Sequence, residues 1–193
     1  MLLATTLLLT IFTAILVPVY WKHYGPQNFL WLSDVCLFLT LFALWFHSPL
    51  LISMTAIGIL PLEILWNIDF FAELFTGHNL VGISHYMFED KYTNLLKGLS
   101  LFHVFIPVIC FWLLAIWGYD KNALPYQITL NTLILIATYL FTAPKENTNW
   151  VFMPTIKNWQ RIQPMAWLLF LLVAFPVLMI FPMHLLLSTC FTF

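Results

Sequence analysis

The stretch that decides the fold is LLISMTAIGILPLEILWNIDFF, residues 50–71, in which the only ionisable side chains, Glu63 and Asp69, lie in the second half. A helix that crosses the hydrocarbon core of a bilayer needs roughly 20 predominantly apolar residues. Similar apolar runs fill most of the remaining chain. The sequence therefore predicts an all-α protein that folds as a polytopic transmembrane helical bundle.

The composition supports a membrane protein and excludes other classes. Of the 193 residues, 62% are hydrophobic and only 8% are charged, whereas soluble domains carry about 25% charged residues. With so few charges, much of the surface must be covered by membrane lipids. The formal net charge of -1 gives no basis for nucleic-acid binding.

Turn residues and polar connections divide the chain into six predicted spans within one integral membrane domain, residues 1–193. The spans are predicted at about residues 2–20, 28–46, 50–71, 99–117, 126–141 and 165–187. The third loop, predicted at about residues 72–97, contains SHYMFEDKYTNLLKG, which mixes charges with apolar side chains. This pattern indicates an interfacial helix, and we interpret Tyr86, Met87 and Phe88 as its contact with lipid.

The distribution of basic residues predicts the orientation, because cytoplasmic loops of membrane proteins carry an excess of Lys and Arg. The odd-numbered loops share one side of the membrane and hold six basic residues, whereas the other side holds only Lys121. The six are Lys22, Lys91, Lys97, Lys145, Lys157 and Arg161. We therefore expect the odd loops in the cytoplasm and both termini outside.

Three ionisable residues within the spans form the candidate site. A charge at the bilayer centre costs about 2.5 kcal/mol or more, so Asp34, Glu63 and His103 need partners or a wet cavity. Since successive spans alternate in direction, all three fall near the cytoplasmic side. Asp69 is rotated well away from Glu63 on the same helix, and we expect it to serve the interface or to cap the next segment.

Helical spacing adds ligand-binding candidates to these three. Asn67 lies four residues after Glu63 and shares its helix face. Trp31 lies three residues before Asp34 and likewise shares a helix face with it. The stretch KENTNWV of the fifth loop reaches the same side. We predict Asp34, Glu63 and His103 as the catalytic, acid–base group. The predicted ligand-binding residues are Trp31, Trp66, Asn67, Asn149 and Trp150.

Two carboxylates and an imidazole in a site of low dielectric constant can perform general acid–base chemistry. The same side chains are also ligands for a divalent metal, but motifs such as HExxH are absent, so we predict no cofactor. A third interpretation is that the side chains pair only to fix helix packing. Polar contacts between membrane helices contribute only about 0.6 kcal/mol on average. So small a stabilisation argues against three ionisable groups that serve helix packing alone.

The leading functional hypothesis is a polar pocket near the cytoplasmic leaflet that binds or modifies a lipid or small amphipathic molecule. One alternative is a transporter of a small solute, ion or proton, which needs a polar path from Glu63 to Gln127 or His184. Another is a structural or assembly subunit of a membrane complex, which predicts a filled bundle centre. The sequence leaves open whether the protein is an enzyme and which oligomeric state it adopts.

Five stretches resemble a family of small, uncharacterised bacterial polytopic membrane proteins. They are YGPQNFLWLSD (Tyr24–Asp34), LPLEILWNIDF (Leu60–Phe70), GLSLFHV (Gly98–Val104), GYDKNALPYQ (Gly118–Gln127) and NTNWVF (Asn147–Phe152). The resemblance covers most of the chain. Because that family brings no activity with it, the resemblance transfers no function. It implies only that the chain is one unit and that it is located in a bacterial inner membrane.

Overall fold

The computed structural model describes residues 1–154 and 162–191. Most of these residues are helical, and no strand occurs in the described ranges. The α-helices are α1 (Leu2–Tyr24), α2 (Leu32–Phe46), α3 (Pro49–Thr76), α4 (Asn94–Ser100), α5 (Phe102–Trp117), α6 (Ala123–Phe141), α7 (Pro164–Ala174) and α8 (Phe181–Cys190). The predicted all-α polytopic bundle is confirmed.

Five helical stretches in the described ranges are long and apolar enough to cross a membrane. They are α1, α3, the continuous pair Asn94–Trp117, α6 and the stretch Pro164–Cys190. Helix α2 is apolar but has only 15 residues, and at 1.5 Å per residue it extends about 22 Å. The hydrocarbon core of a bilayer is about 30 Å thick, so the count of six spans stays a prediction.

Helix α3 is the central helix of the bundle and packs against α2, α5, α6 and α8. Of its most apolar window, 61% is buried, compared with 22% for α1. Small residues such as Ser53, Ala56 and Gly58 let neighbouring helices approach closely, and the Gln127 side chain fills the space beside Gly58. The central position of α3 carries Glu63 and Trp66 into the interior.

The start of α2 differs from the prediction. Span two was predicted to begin at about residue 28, but Pro26–Leu30 form a 3-10 turn and α2 begins at Leu32. Trp31 adopts an extended conformation at the N-cap position, which breaks the helix between the two segments. The Asn28 amide instead points to Asp34, with Nδ2 3.4 Å from Oδ2.

The third loop, residues 77–93 in the structure, does not form the predicted interfacial helix. Its helical content is a single 3-10 turn, His85–Phe88. Helix α4 begins only after Thr93, whose side chain accepts a hydrogen bond from the Leu96 N–H at 3.3 Å. Helix α4 then continues into α5 with one irregular residue, Leu101, between them, so this segment belongs to a span.

The third loop is held by Asp69 rather than by its own helical structure. One carboxylate oxygen accepts hydrogen bonds from the N–H groups of Leu80, Val81 and Gly82 at 2.7–3.1 Å. The other accepts from the N–H groups of Gly82 and Ser84 and from the Ser84 hydroxyl at 2.9–3.0 Å. These charge-assisted bonds replace the hydrogen bonds that a helix would form, and Asp69 therefore fixes the loop to the end of α3.

The last helical stretch contains a π-helical turn, Phe175–Ile180, between α7 and α8. Pro176 and Pro182 lack the N–H groups that an α-helix needs, and such irregular turns are typical near missing helical hydrogen bonds. The basic residues Lys157 and Arg161, which contributed to the predicted orientation, lie outside the described residues.

Candidate functional site

A cavity of about 700 Å³ opens at the end of the bundle where the first, third and fifth loops meet. Its walls come from the end of α1, the start of α2, the second half of α3 and the start of α5, together with the three loops. Seven of the eight predicted site residues line it. These are Trp31, Asp34, Glu63, Trp66, His103, Asn149 and Trp150.

Glu63 and His103 form a direct pair across α3 and α5. Glu63 Oε2 lies 2.7 Å from His103 Nδ1, and their side chains are only 3% and 14% exposed. Because Nδ1 is engaged by the carboxylate, Nε2 is the ring nitrogen left to exchange a proton or a hydrogen bond with a bound molecule. The pair therefore has the arrangement of a carboxylate-oriented imidazole.

Aromatic rings hold the imidazole in place. The indole of Trp66 stacks on the His103 ring with centroids 4.6 Å apart, and Phe102 stacks on it at 4.1 Å. Trp66 in turn stacks on Phe70 at 5.1 Å. Stacked aromatic contacts contribute about 0.5–1.5 kcal/mol beyond the burial of their area, so the orientation of His103 is fixed by packing as well as by Glu63.

Asp34 is the second carboxylate of the cavity and lacks a comparable partner. It lies in the first turn of α2, where the helix dipole favours negative charge, and it is 3% exposed. Its Oδ2 receives only the long contact from Asn28, and its Oδ1 has no hydrogen-bond partner in the part of the chain that the structure describes. Asp34 itself lines the cavity, so its carboxyl group lies beside the space that a bound molecule would occupy.

Tyrosines that the sequence did not point to complete the wall. The Tyr20 hydroxyl lies 2.9 Å from Ser100 Oγ. Tyr86 lines the cavity near Ser100 and Trp66, and burial raises the pKa of its hydroxyl well above the usual range, which keeps it neutral. The interpretation of the Tyr86 segment as a lipid contact differs from the structure, since Tyr86 faces the cavity and Met87 is buried. No periodic pattern inside this loop pointed to Tyr86 as a cavity residue.

Trp31 and Trp150 form the aromatic edge between the first and fifth loops. Their ring centroids are 5.8 Å apart in an edge-to-face arrangement. Trp150 has a φ of 56°, and Asn147 and Asn149 are also left-handed, with φ of 44° and 50°. A left-handed conformation is costly for a bulky residue. Hydrogen bonds hold the turn, including one from Trp167 Nε1 to the Trp150 carbonyl at 2.7 Å.

Asn149 lines the cavity, but its amide is occupied by protein groups. Its Oδ1 accepts from the Leu32 N–H at 3.0 Å, and its Nδ2 donates to the Leu30 carbonyl at 2.7 Å and to Thr138 Oγ1 at 3.1 Å. The amide thus joins the fifth loop to the start of α2 and to α6. This arrangement gives Asn149 a positioning role for Trp150.

Asn67 is the one predicted site residue that does not line the cavity. Its Nδ2 donates to the Glu63 carbonyl at 2.8 Å and to the His103 carbonyl at 2.7 Å. The His103 carbonyl would pair with the residue four positions later in a regular helix, but that residue is Pro107, which has no N–H. Asn67 supplies the missing donor and so holds the backbone of both Glu63 and His103.

The buried amide of Asn131 offers a contrast with Asn149. Both side chains are at most 2% exposed, but neither Nδ2 nor Oδ1 of Asn131 has a partner in the described part of the chain. Leaving a buried polar group unpaired costs about 1–3 kcal/mol. We therefore expect Asn131→Leu to leave the thermal midpoint unchanged or to raise it.

The matched variant Asn149→Leu is expected to lower the midpoint, because it removes three hydrogen bonds and leaves the Leu32 N–H and the Leu30 carbonyl unpaired. Thermal unfolding of both variants in the same detergent measures the difference. A fall for Asn131→Leu as large as that for Asn149→Leu would mean that the Asn131 amide has a partner of its own.

The polar residues predicted on the opposite side do not join the cavity. Gln127 and Asn131 are buried on α6, and His184 Nδ1 lies 2.7 Å from the Tyr119 hydroxyl. None of these side chains lines the cavity. Further along the buried face of α6, Ile134 and Leu135 pack in an apolar cluster with Cys36 and Ile59, so the polar face is interrupted. The described residues contain no group of three His, Cys, Asp or Glu side chains that could hold a metal ion.

Comparison of the chain with protein-family models, curated proteins and solved structures gives no match. The resemblance to a family of small bacterial polytopic membrane proteins stays a prediction, and the site is interpreted from its own geometry.

Proposed function

We propose that this integral membrane protein binds, and through its acid–base group modifies, a lipid or small amphipathic molecule in the cavity. The observation that carries the proposal is that Asp34, Glu63 and His103 line one cavity of about 700 Å³ together with indole side chains. Ligand sites have volumes of about 300–1,000 Å³, mostly apolar walls and a few convergent polar groups. An amphipathic molecule matches this cavity, because its polar head can contact the ionisable groups while its apolar part contacts the indole rings.

The roles follow from the contacts. His103 presents Nε2 as the group that takes up or gives a proton, and Glu63 orients the ring and stabilises its charged form. Asp34, which lines the cavity without a basic partner among the described residues, supplies a second acid–base or ion-pairing group. Trp31, Trp66 and Trp150 provide apolar walls for the non-polar part of the molecule. Asn67 and Asn149 position these residues through the backbone.

The proposed location of the pocket depends on orientation. The cavity is at the end of the bundle that carries the odd-numbered loops, and the excess of basic residues in these loops favours the cytoplasm. We infer that the pocket faces the cytoplasmic leaflet of a bacterial inner membrane, with both termini outside.

The two alternatives have less support. Transport requires a polar path from Glu63 to Gln127 or His184, and the apolar face formed by Ile134 and Leu135 interrupts it within the described residues. A purely structural subunit is expected to have a filled centre, whereas the bundle has a large cavity lined by ionisable groups.

Photolabelling tests the proposal. Three probes share a diazirine-bearing alkyl chain and differ only in the head group, which is a hydroxyl, a trimethylammonium or a carboxylate. The purified chain in maltoside micelles is labelled at increasing mole fraction of each probe, and intact mass gives the number of adducts. We expect labelling by at least one probe to saturate at one adduct per chain. Labelling that rises in proportion to mole fraction for all three probes would mean that only the lipid-facing surface is touched.

A further inference from the structure

The charges around the cavity are unbalanced. Three carboxylates line it, those of Asp34, Glu63 and Glu146. No Lys or Arg of the described ranges lines it, although five lysines lie within these ranges. A ligand that enters the cavity therefore meets acidic groups without a Lys or Arg side chain from the described part of the protein.

The neighbours of the three carboxylates do not neutralise them equally. Glu63 has the imidazole of His103 at 2.7 Å. Asp34 Oδ2 has only the amide of Asn28 at 3.4 Å, while its Oδ1 is buried and without a partner among the described residues. The Glu146 carboxylate accepts two long contacts of 3.4 Å, one of them from Gln27 Nε2. Asp34 and Glu146 thus have no Lys, Arg or His partner in the described structure.

The histidines of the wall do not remove this imbalance. His103 is engaged by Glu63, and His23 packs against the edge of Tyr24 with centroids 4.6 Å apart. Neither is paired with Asp34 or Glu146 in the described structure.

Aromatic side chains outnumber aliphatic ones in the wall, which also contains Leu32, Ile59, Leu62, Val81 and Ile83. The aromatic side chains include Trp31, Trp66, Trp150, Tyr24, Tyr92 and Phe102. The faces of aromatic rings attract cations, most strongly when water is excluded, and cages of aromatic rings are the usual recognition site for quaternary ammonium groups. An anionic head group would instead be repelled by Asp34 in a medium of lowered dielectric constant.

We propose that the cavity selects amphiphiles with an ammonium head group, either an amine or a quaternary ammonium, over amphiphiles with an anionic head. The proposal rests on the function proposed above and adds the chemical class of the ligand. The carboxyl group of Asp34, which lines the cavity, provides the counter-charge, and the indole and phenol rings surround the ammonium group.

The test compares the mole fractions at which the three photoprobes reach half-saturation, at an alkaline pH that keeps the carboxylate head ionised. We expect the trimethylammonium probe to half-saturate at an at least ~10-fold lower mole fraction than the carboxylate probe, as a charge contact and cation–π contacts together imply. Asp34→Asn is expected to reduce this preference to below ~3-fold by removing the counter-charge.

Two further variants keep the result interpretable. Glu146→Gln, at an exposed position on the rim, is expected to reduce the preference in the same direction if Asp34→Asn does not fold. Glu89→Gln removes a carboxylate that pairs with Lys91 outside the cavity and is expected to leave the preference unchanged. If no probe saturates, the proposed function itself fails. If the carboxylate or hydroxyl probe saturates at the same or a lower mole fraction, the ammonium inference fails while the proposed function stands.

Discussion

Glu63→Gln is expected to abolish saturable binding of the amphiphile, and turnover where it occurs, with a loss of about 100-fold or more. The Gln amide has the shape of the carboxylate and its oxygen can still accept a hydrogen bond from His103 Nδ1, so the geometry is retained while the charge is lost. An oriented acid–base group contributes typically 10²–10⁴-fold to a rate. The measurement is the half-saturating mole fraction of the photoprobe and, once a substrate is known, the turnover number.

His103→Ala is the companion variant and removes the ring that stacks on Trp66. We expect the same loss, because the proton-exchanging nitrogen disappears. Both variants should elute from size-exclusion chromatography as the wild type does, and Glu89→Gln should bind normally. Normal binding and turnover in both Glu63→Gln and His103→Ala would refute the assigned roles.

Asp69→Ala is expected to release the third loop from the end of α3 and to lower the local stability of that loop strongly. The substitution removes six hydrogen bonds from one carboxylate. Hydrogen bonds to charged groups contribute about 1.5–3 kcal/mol each, although such contributions do not add fully. A local loss of about 3 kcal/mol corresponds to roughly a 100-fold change in an equilibrium constant.

Hydrogen exchange measures this effect directly. In Asp69→Ala the amides of residues 80–84 should exchange about 100-fold faster than in the wild type, while amides in the middle of α3 should be unaffected. Asp69→Asn should give an intermediate result, since it keeps one acceptor oxygen and turns an NH₂ group toward backbone N–H donors. Unchanged protection in Asp69→Ala would mean that other contacts hold the loop.

The loop matters for the cavity because Val81, Gly82, Ile83, Tyr86 and Tyr92 form part of its wall. A second contact fixes the same segment, in which Glu73 Oε1 lies 2.6 Å from His85 Nδ1. Release of the loop in Asp69→Ala should therefore weaken saturable photolabelling as well as amide protection.

The sequence could predict that the ionisable residues share one end of the bundle but not which partners they have. Apolar length and alternation of direction were enough to put Asp34, Glu63 and His103 at one end of the bundle. The pairing of Glu63 with His103 depends on how α3 and α5 rotate against each other, which a helical period does not determine. Trp150 illustrates the same limit, since its left-handed turn depends on hydrogen bonds made across the fold.

Asn67 shows why a shared helix face is weaker evidence than a contact. Asn67 does share a helix face with Glu63, but its amide donates to the His103 carbonyl, which Pro107 leaves unpaired on α5. This contact joins two helices, so the spacing along α3 alone could not predict it. The third loop is a related case, because Asp69 holds it through backbone N–H groups that carry no residue-specific signal. The mixture of charged and aromatic residues in the loop favoured an interfacial helix, because the sequence does not reveal that the Asp69 carboxylate binds the loop backbone.

The positions of the crosslinks test the central claim most directly, namely that Asp34, Glu63 and His103 share one amphiphile-binding cavity. After labelling at the saturating mole fraction, peptide mass spectrometry identifies the residues that carry the adduct. We predict that saturable adducts concentrate in residues 24–34, 59–66 and 146–150 and disappear in Glu63→Gln. Adducts confined to lipid-facing residues such as Leu169 and Val173, with none in the cavity wall, would contradict the account.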